Sequence, residues 1–142
     1  MSNILDDAVA AVVAALTPVA TVLEGNPAQQ VDAASVTYPL ILLTPATYQG
    51  QWRTLRQQEH SYAIDLAAYI DATSNPDSVN QRQRELLLAV FRALHPLRGI
   101  VTAGGIPVSI ETEQTTLDAW ALGQRARVFT MLITLGVKEN GT

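Results

Sequence analysis

Pairs of carboxylates are the residues in this sequence whose type and spacing could support acid–base or metal chemistry. Glu111 and Glu113 are two residues apart in a segment with the pattern of a strand, so their side chains point to the same face. Two carboxylates on one face could hold a hard cation or contact a sugar. We interpret them instead as surface residues beside Arg125 or Arg127 on the neighbouring strand, because opposite charges commonly pair across strands.

The other titratable residues form no complete catalytic arrangement. Asp65 and Asp71 share a strand face but are six residues apart, about 20 Å by strand rise, which is too far for one acid–base pair. The two histidines, His60 and His95, fall at a strand start and at a helix end. A cation at a helix C-terminus interacts favourably with the helix dipole, which explains His95 without catalysis.

Motifs of enzymes and cofactor sites are absent from the sequence. Gly104-Gly105 precedes Ile106-Pro107 and lacks the Lys-Ser/Thr of a phosphate loop and the third glycine of a dinucleotide fingerprint, so it predicts a turn. There is no nucleophile elbow, His-Glu-x-x-His helix or EF-hand loop. The chain contains no cysteine for a thiolate ligand or nucleophile. The sequence therefore predicts no catalytic activity, no cofactor and no metal site.

Two segments carry tryptophan in positions suited to contact with another molecule. Trp52 is followed by Arg53 and Arg56, a combination that could stack on single-stranded nucleic acid. These residue types are also enriched at the centres of protein interfaces, and we interpret them as a contact with a neighbouring subunit. Trp120, in a second segment, could either cap its own core or anchor a partner.

Hydrophobic periodicity predicts an α+β fold, with a mostly antiparallel sheet of four to five strands and two main helices packed on one face. Residues 48–59 lack a clear period and predict a projecting loop or an open hairpin, and residues 117–123 predict a loop. A kinked, longer first helix is the alternative to a helix followed by an edge strand. The predicted elements are a helix from Leu5 to about Leu16, an edge strand in Val19 to Glu24, strands at Leu40 to Thr44 and His60 to Asp71, a helix from Pro76 to His95, and strands around Ile106 to Glu113 and from Arg125 to Val137.

The last predicted strand is apolar on both faces. Val128 and Leu132 alternate with Phe129, Met131 and Ile133, so either set can face the core. Two helices on one side of a sheet leave the other side uncovered, and a partner subunit is the natural cover. We therefore expect Phe129 and Met131, with Trp52, Arg53, Arg56 and Trp120, to be candidates for a subunit interface.

Length and composition favour one globular domain that spans residues 1–142. Residues with apolar side chains make up 48% of the chain, and a chain of this length buries roughly two thirds of its unfolded surface. The net charge of −4 repels phosphate, which argues against nucleic-acid binding. We expect no export signal and no membrane span, because the first residues are acidic and no long uncharged apolar run occurs.

The layout of the chain resembles the tail terminator and tail-completion proteins of long-tailed bacteriophages. The resemblance rests on the alanine-rich helix Leu5 to Leu16, the proline-bounded segment Tyr38 to Pro45, the strand Tyr62 to Leu66, the Pro76 helix that ends in Leu94-His95-Pro96-Leu97, and the closing strand Ala126 to Met131.

This resemblance implies a structural protein of the virion, made in the host cytoplasm. Such a protein forms a ring, hexameric in the family, on the tail tube, where it stops tube polymerisation and docks to the neck or head-closure protein. DNA would pass through the ring as cargo only. The family carries no catalytic residues that could be transferred to this chain.

Three alternatives remain open at this stage. The chain could be another neck or minor tail component. It could be a cytosolic small-molecule-binding domain in which Tyr48 and Trp52 line a pocket. Finally, it could be an enzyme that uses Glu111, Glu113 or Asp65.

Overall fold

A computed structural model describes residues 4–25, 37–72, 78–97, 100–101, 107–112, 116–121 and 126–140, with the backbone alone at 100–101, 107–112, 116–121 and 140.

The first helix ends where the sequence predicts. Helix α1 is Ile4–Leu16 and buries Ala8, Val12 and Leu16 at four-residue spacing. Pro18 has no N–H to donate, so the helix cannot continue through it, and the N–H of Val19 bonds to Leu16 instead.

In the described part of the chain, seven strands form one sheet, accompanied by two helices. The order across the sheet is β1-β2-β3-β7-β5-β4, and β6 also pairs with β7. Among the described strand pairings, only that of β1 with β2 is parallel, so the predicted α+β fold with a mostly antiparallel sheet is confirmed. The strands are β1 Thr21–Glu24, β2 Leu40–Trp52, β3 Gln57–Asp71, β4 Ile100–Val101, β5 Pro107–Thr112, β6 Thr116–Ala121 and β7 Ala126–Asn140, and helix α2 is Val79–Leu94 with a short 3-10 turn, His95–Leu97.

The described sheet has seven strands where the sequence predicts four to five, and the predicted loop at 117–123 is wrong. Strand β6 occupies most of that segment and pairs with the first part of β7, with Ala121 opposite Ala126. Strands β5 and β6 follow one another along the same edge of β7. The segment contains Asp118 and two alanines, which disfavour strands locally, so the exposed edge of β7 rather than intrinsic propensity explains the pairing.

Several predicted local features lie outside the described residues. The predicted start of the second helix at Pro76 is among them, as is the predicted turn at Gly104-Gly105. In the described part, α2 begins at Val79 after Ser78 and its last residue, Leu94, precedes the 3-10 turn. The predicted end at His95-Pro96 is therefore within two residues of the observed one.

One face of the sheet and both helices share a hydrophobic core. On β3 the buried members of this core are alternate residues, Ile64, Leu66, Ala68 and Ile70, so they occupy one face. Met131 lies opposite Leu66, and Phe129 lies opposite Ala68, which places them on that same face. Residues of α1 and α2 belong to the same cluster, including Val12, Leu16, Leu86, Val90 and Leu94.

This arrangement decides which side of β7 faces the core. Phe129 is fully buried and Met131 is 3% exposed within the single chain. The prediction that these two residues form a subunit interface is therefore wrong, because the chain's own helices cover them. The opposite phase, which includes Val128 and Leu132, faces the other side of the sheet.

The opposite face of the sheet is of mixed character. Leu40, Leu42, Ala63 and Val128 are buried there, whereas Asp65 is exposed. Tyr69 lies between Leu40 and Val128, and burial raises the pKa of its hydroxyl above the ordinary value of 10.0. This face is therefore less apolar than the sequence predicts. At its centre, burial of Tyr69 disfavours the ionised form of its hydroxyl.

We expect Phe129→Ala to lower the free energy of unfolding by about 3–5 kcal/mol, because it removes a fully buried ring and leaves a cavity. Urea denaturation followed by circular dichroism measures this change. Thr130→Ala is the matched control, since the neighbouring side chain is exposed, and it should change stability by no more than about 0.5 kcal/mol. Equal losses for the two variants would contradict the assigned phase of β7.

Candidate subunit interface

The segment predicted as a loop or an open hairpin is a hairpin. Strand β2 continues to Trp52, which lies opposite Gln58 on β3. Strand β1 pairs only with Leu40 to Leu43 at the start of β2. Every residue from Pro45 to Trp52 is exposed, and their outer edge has no neighbouring strand in the described part of the chain. We call residues 48–60 the hairpin tip.

A threonine closes the turn of the hairpin tip. The Thr54 hydroxyl oxygen accepts hydrogen bonds from the N–H groups of Arg56 and Gln57, at 3.2 Å and 3.0 Å. The N–H of Arg53 donates to the carbonyl of Gln57 at 2.9 Å. A side chain that satisfies backbone groups in this way holds a turn in one shape, so the residues between Trp52 and Gln57 are presented in a defined geometry.

The hairpin tip exposes large apolar side chains to solvent. Trp52 is 82% exposed, Tyr48 is 54% exposed, and Leu55 is exposed over its whole side chain. Trp52 was predicted from the sequence, whereas Leu55 was missed. Its signal was an isolated leucine between Arg53 and Arg56 in a segment without hydrophobic periodicity, which places an apolar side chain where no core can reach it.

Charged residues next to the turn connect it to β3 and β7. Nε of Arg53 donates to Oε2 of Glu59 at 2.8 Å, and Nζ of Lys138 on β7 lies 3.7 Å from Oε1 of the same carboxylate. The hydrogen bond from Arg53, with a smaller contribution from Lys138, lowers the pKa of Glu59 below its ordinary value of 4.5. In contrast, the Arg56 guanidinium forms no ion pair with the described residues.

Tyr48, His60 and Glu139 form a polar chain across three strands. The Tyr48 hydroxyl lies 2.8 Å from Nδ1 of His60, and the two rings stack with their centroids 5.9 Å apart. Nε2 of His60 lies 3.6 Å from Oε1 of Glu139. The Tyr48 ring reaches His60 by crossing Gly50, where an added Cβ would meet the Tyr48 hydroxyl at 2.5 Å. Any other residue at position 50 would therefore displace the Tyr48 hydroxyl from His60.

Two pockets lie at opposite ends of the β2–β3 hairpin. A small one of about 250 Å³ lies at the hairpin tip and is lined by Tyr48, Gly50, Gln51, Trp52, Gln58 and His60. This volume is below the range of roughly 300–1,000 Å³ that is typical of small-molecule sites.

A larger pocket of about 660 Å³ lies beside α2 and the turn that follows α1, near the start of β2 and the end of β3. Its charged residues are Asp71, Arg82 and Glu85. We call it the interhelix pocket. Sequence reasoning missed it, because its residues come from the turn after α1, the residues before β2, the end of β3 and helix α2, which only the fold brings together. Its apolar walls are formed by Pro18, Val19, Pro39, Ile70, Leu86 and Ala89.

The other candidate residues predicted from the sequence do not come together in one site. Glu111 lies opposite Thr134 in the sheet, so the prediction that it faces Arg127 is wrong, because Arg127 lies opposite Trp120. Glu113, Arg125 and the side chain of Trp120 lie outside what is described. Asp65 and Asp71 are six residues apart on β3, and His95 follows α2. Within the described residues, no three His, Cys, Asp or Glu side chains are grouped as they would be around a metal ion.

Comparisons with known proteins identify no family for this chain. No protein-family model matches the sequence, and no curated protein matches it. Among the solved structures that match, one that carries a sequence identifier as its name is similar over 99% of this chain and 99% of its own, with 19% identity and a TM-score of 0.41. A likeness this low shows neither a fold nor a function. None of the described helices is long and apolar enough to cross a membrane.

We expect Arg53→Ala to raise the pKa of Glu59 toward 4.5, because the variant removes the hydrogen bond that most lowers it. A pH titration of the side-chain carboxyl carbons by NMR measures the shift. Since the folded pKa of Glu59 is lowered, its stabilising contribution is present above the unfolded pKa and is lost as the pH falls through the folded value. Arg56→Ala is the control and should leave this pKa unchanged; an equal shift in both variants would exclude the Arg53 contact as its cause.

Proposed function

We propose that this protein is a structural component of a bacteriophage virion. It forms a ring, hexameric as in the family that it resembles, at the head-proximal end of the tail tube. There it ends tube polymerisation and docks to the neck or head-closure protein. In this proposal the protein is not an enzyme and needs no cofactor, and its location is the tail or neck of the virion.

The observation that carries this proposal is the hairpin tip, where Trp52 and Leu55 are held in solvent by a closed turn. Removal of these side chains from water by a partner is favourable, and Trp and Arg are enriched at the centres of protein interfaces. The order of helices and strands supports the proposal, because it agrees with the layout on which the resemblance rests. The dispersed carboxylates and histidines of the described part also support a role in assembly over one in catalysis.

Net charge is compatible with a ring through which DNA passes. With 13 acidic and 9 basic residues, the subunit as a whole repels phosphate. A basic lumen would bind the duplex and oppose its passage, since each neutralised phosphate releases counterions and strengthens binding. DNA is therefore proposed as passing cargo and not as a ligand.

We expect light scattering across a range of concentrations to give a mass near six times the 15.3 kDa subunit. Added to polymerising tail tube protein of the same phage, the protein should stop growth and cap one end of each tube, as seen by negative-stain electron microscopy. The same tubes without the protein are the control. A protein that stays monomeric and never binds tube ends would contradict the proposal.

The interhelix pocket favours a second candidate, a cytosolic small-molecule-binding domain. Its volume of about 660 Å³ lies within the range of ligand sites, and it combines apolar walls with a few charged groups. Tyr48 and Trp52, which were expected to line such a pocket, line the smaller pocket at the hairpin tip instead.

A thermal-shift screen against a metabolite panel separates this candidate from the ring protein. A ligand that binds only the folded state stabilises it by about 2.7 kcal/mol at 100 times its dissociation constant, which raises the melting temperature by several degrees. We expect no compound to produce such a shift if the protein is a ring subunit. Ala89→Trp, which fills the pocket, is the control for any compound that does.

A further inference from the structure

The hairpin tip carries apolar side chains that the described part of the chain leaves uncovered. Trp52 and Leu55 project beyond the core, and the turn that holds them is fixed by Thr54. Strand β3 is paired on both sides, with β2 and with β7, over most of its length. The hairpin tip therefore cannot fold back onto the body of the protein without breaking the sheet.

The interhelix pocket is the apolar concavity at the other end of the same hairpin. Pro39 immediately precedes β2, and Ile70 and Asp71 end β3, and all three residues line this pocket. From Leu40 to Trp52 there are twelve strand steps, about 40 Å. A tip and a pocket that far apart on a rigid ladder can meet only between two molecules.

The volumes of the two features are compatible. The pocket holds about 660 Å³, a space in the range that accepts drug-sized ligands, so it has room for an indole ring and a leucine side chain. Its walls near Leu86 and Ala89 on α2 are apolar, which suits the removal of Trp52 and Leu55 from water.

Charges on the two features are complementary. The tip presents Arg56, whose guanidinium has no ion pair among the described residues, beside Arg53, which is paired with Glu59. The pocket is lined by Asp71, Glu85 and Arg82; Asp71 and Arg82 already have interaction partners, whereas the exposed Glu85 forms no ion pair with a described cation. The Glu85 carboxylate would attract the Arg56 guanidinium, and such attraction fixes the orientation of an interface.

We propose that the hairpin tip of one copy inserts Trp52 and Leu55 into the interhelix pocket of the next copy. This inference rests on the proposed assembly of the protein into a ring, and it names the contact that builds it. Because the two surfaces of the contact differ, each copy offers one tip and one pocket. A contact of this head-to-tail kind generates a closed ring when the rotation between copies closes.

Disulfide cross-linking tests the contact directly, because the chain has no native cysteine. Leu55→Cys and Ala89→Cys are purified separately, mixed and treated with diamide, which takes up the two electrons and two protons released by the thiols. A disulfide-linked dimer is expected on a non-reducing gel. The double variant Leu55→Cys/Ala89→Cys should give a ladder of linked copies.

Leu88→Cys is the matched control for Ala89→Cys. Leu88 is the adjacent residue on α2 but is 50% exposed and does not line the pocket. Its mixture with Leu55→Cys should give little cross-linked product. Similar yields from the Leu88→Cys and Ala89→Cys mixtures would overturn the proposal, because they would show random collision rather than a defined contact.

A second measurement does not depend on introduced thiols. Trp52→Ala should weaken self-association by about 30-fold in sedimentation velocity, the effect of losing an interface hot spot of about 2 kcal/mol. Gln51→Ala, an exposed neighbour on the same strand, should have no such effect. Circular dichroism verifies that both variants remain folded.

The outcomes separate this inference from the proposed function. A six-fold mass without a link between positions 55 and 89 would overturn the tip contact and leave the ring intact. The specific link in an open filament or a dimer would support the contact and contradict the hexameric ring. A protein that remains monomeric at every concentration and gives no specific link overturns the contact, whether or not it caps tubes. A metabolite that occupies the pocket and leaves the link unchanged would also overturn it.

Discussion

The central constraint in this structure is the pairing of β3 with β7. Fifteen consecutive residues of each strand are in register, from Gln57 opposite Asn140 to Asp71 opposite Ala126. This ladder fixes the phase of both strands over their whole length, because a shift by one residue would turn every core side chain to the wrong face. The hydrophobic core between the sheet and the helices, the burial of Phe129 and the position of the hairpin tip all depend on this pairing.

How far the sequence predicts the fold depends on how local the signals are. Pro18 and the spacing of Val12 and Leu16 are local signals, and they predict α1 correctly. The alternation around Ile64 and Leu66 similarly predicts the centre of β3. The phase of β7 could not be predicted, because Val128 and Phe129 are both apolar and only the tertiary pairing distinguishes them. Strand β6 was missed for a related reason: its sequence has weak strand propensity, and the edge of β7 provides its partner.

The candidate site shows the same difference between features set by local sequence and features set by tertiary pairing. Trp52, Arg53 and Arg56 are close together in sequence and were identified from residue type alone. The contact between Tyr48 and His60 spans twelve residues and needs the hairpin register to be known. The interhelix pocket combines residues from Pro18, in the turn after α1, to Ala89 in α2, so no short window of sequence contains it. Local chemistry was therefore predictable, whereas concave features formed by several elements were not.

The outer edge of β2 adds a physical reason for assembly that does not depend on the exposed side chains of Trp52 and Leu55. Proteins protect exposed edge strands with charges, prolines or bulges, because an unprotected edge pairs with other chains. Here Pro45 and the irregular register between Pro45 and Thr47 protect the beginning of the exposed segment. From Thr47 to Trp52 there is no charged residue and no further proline. An unprotected edge of this length promotes aggregation of a free monomer. In an assembly such as the proposed ring, a neighbouring copy can cover that edge.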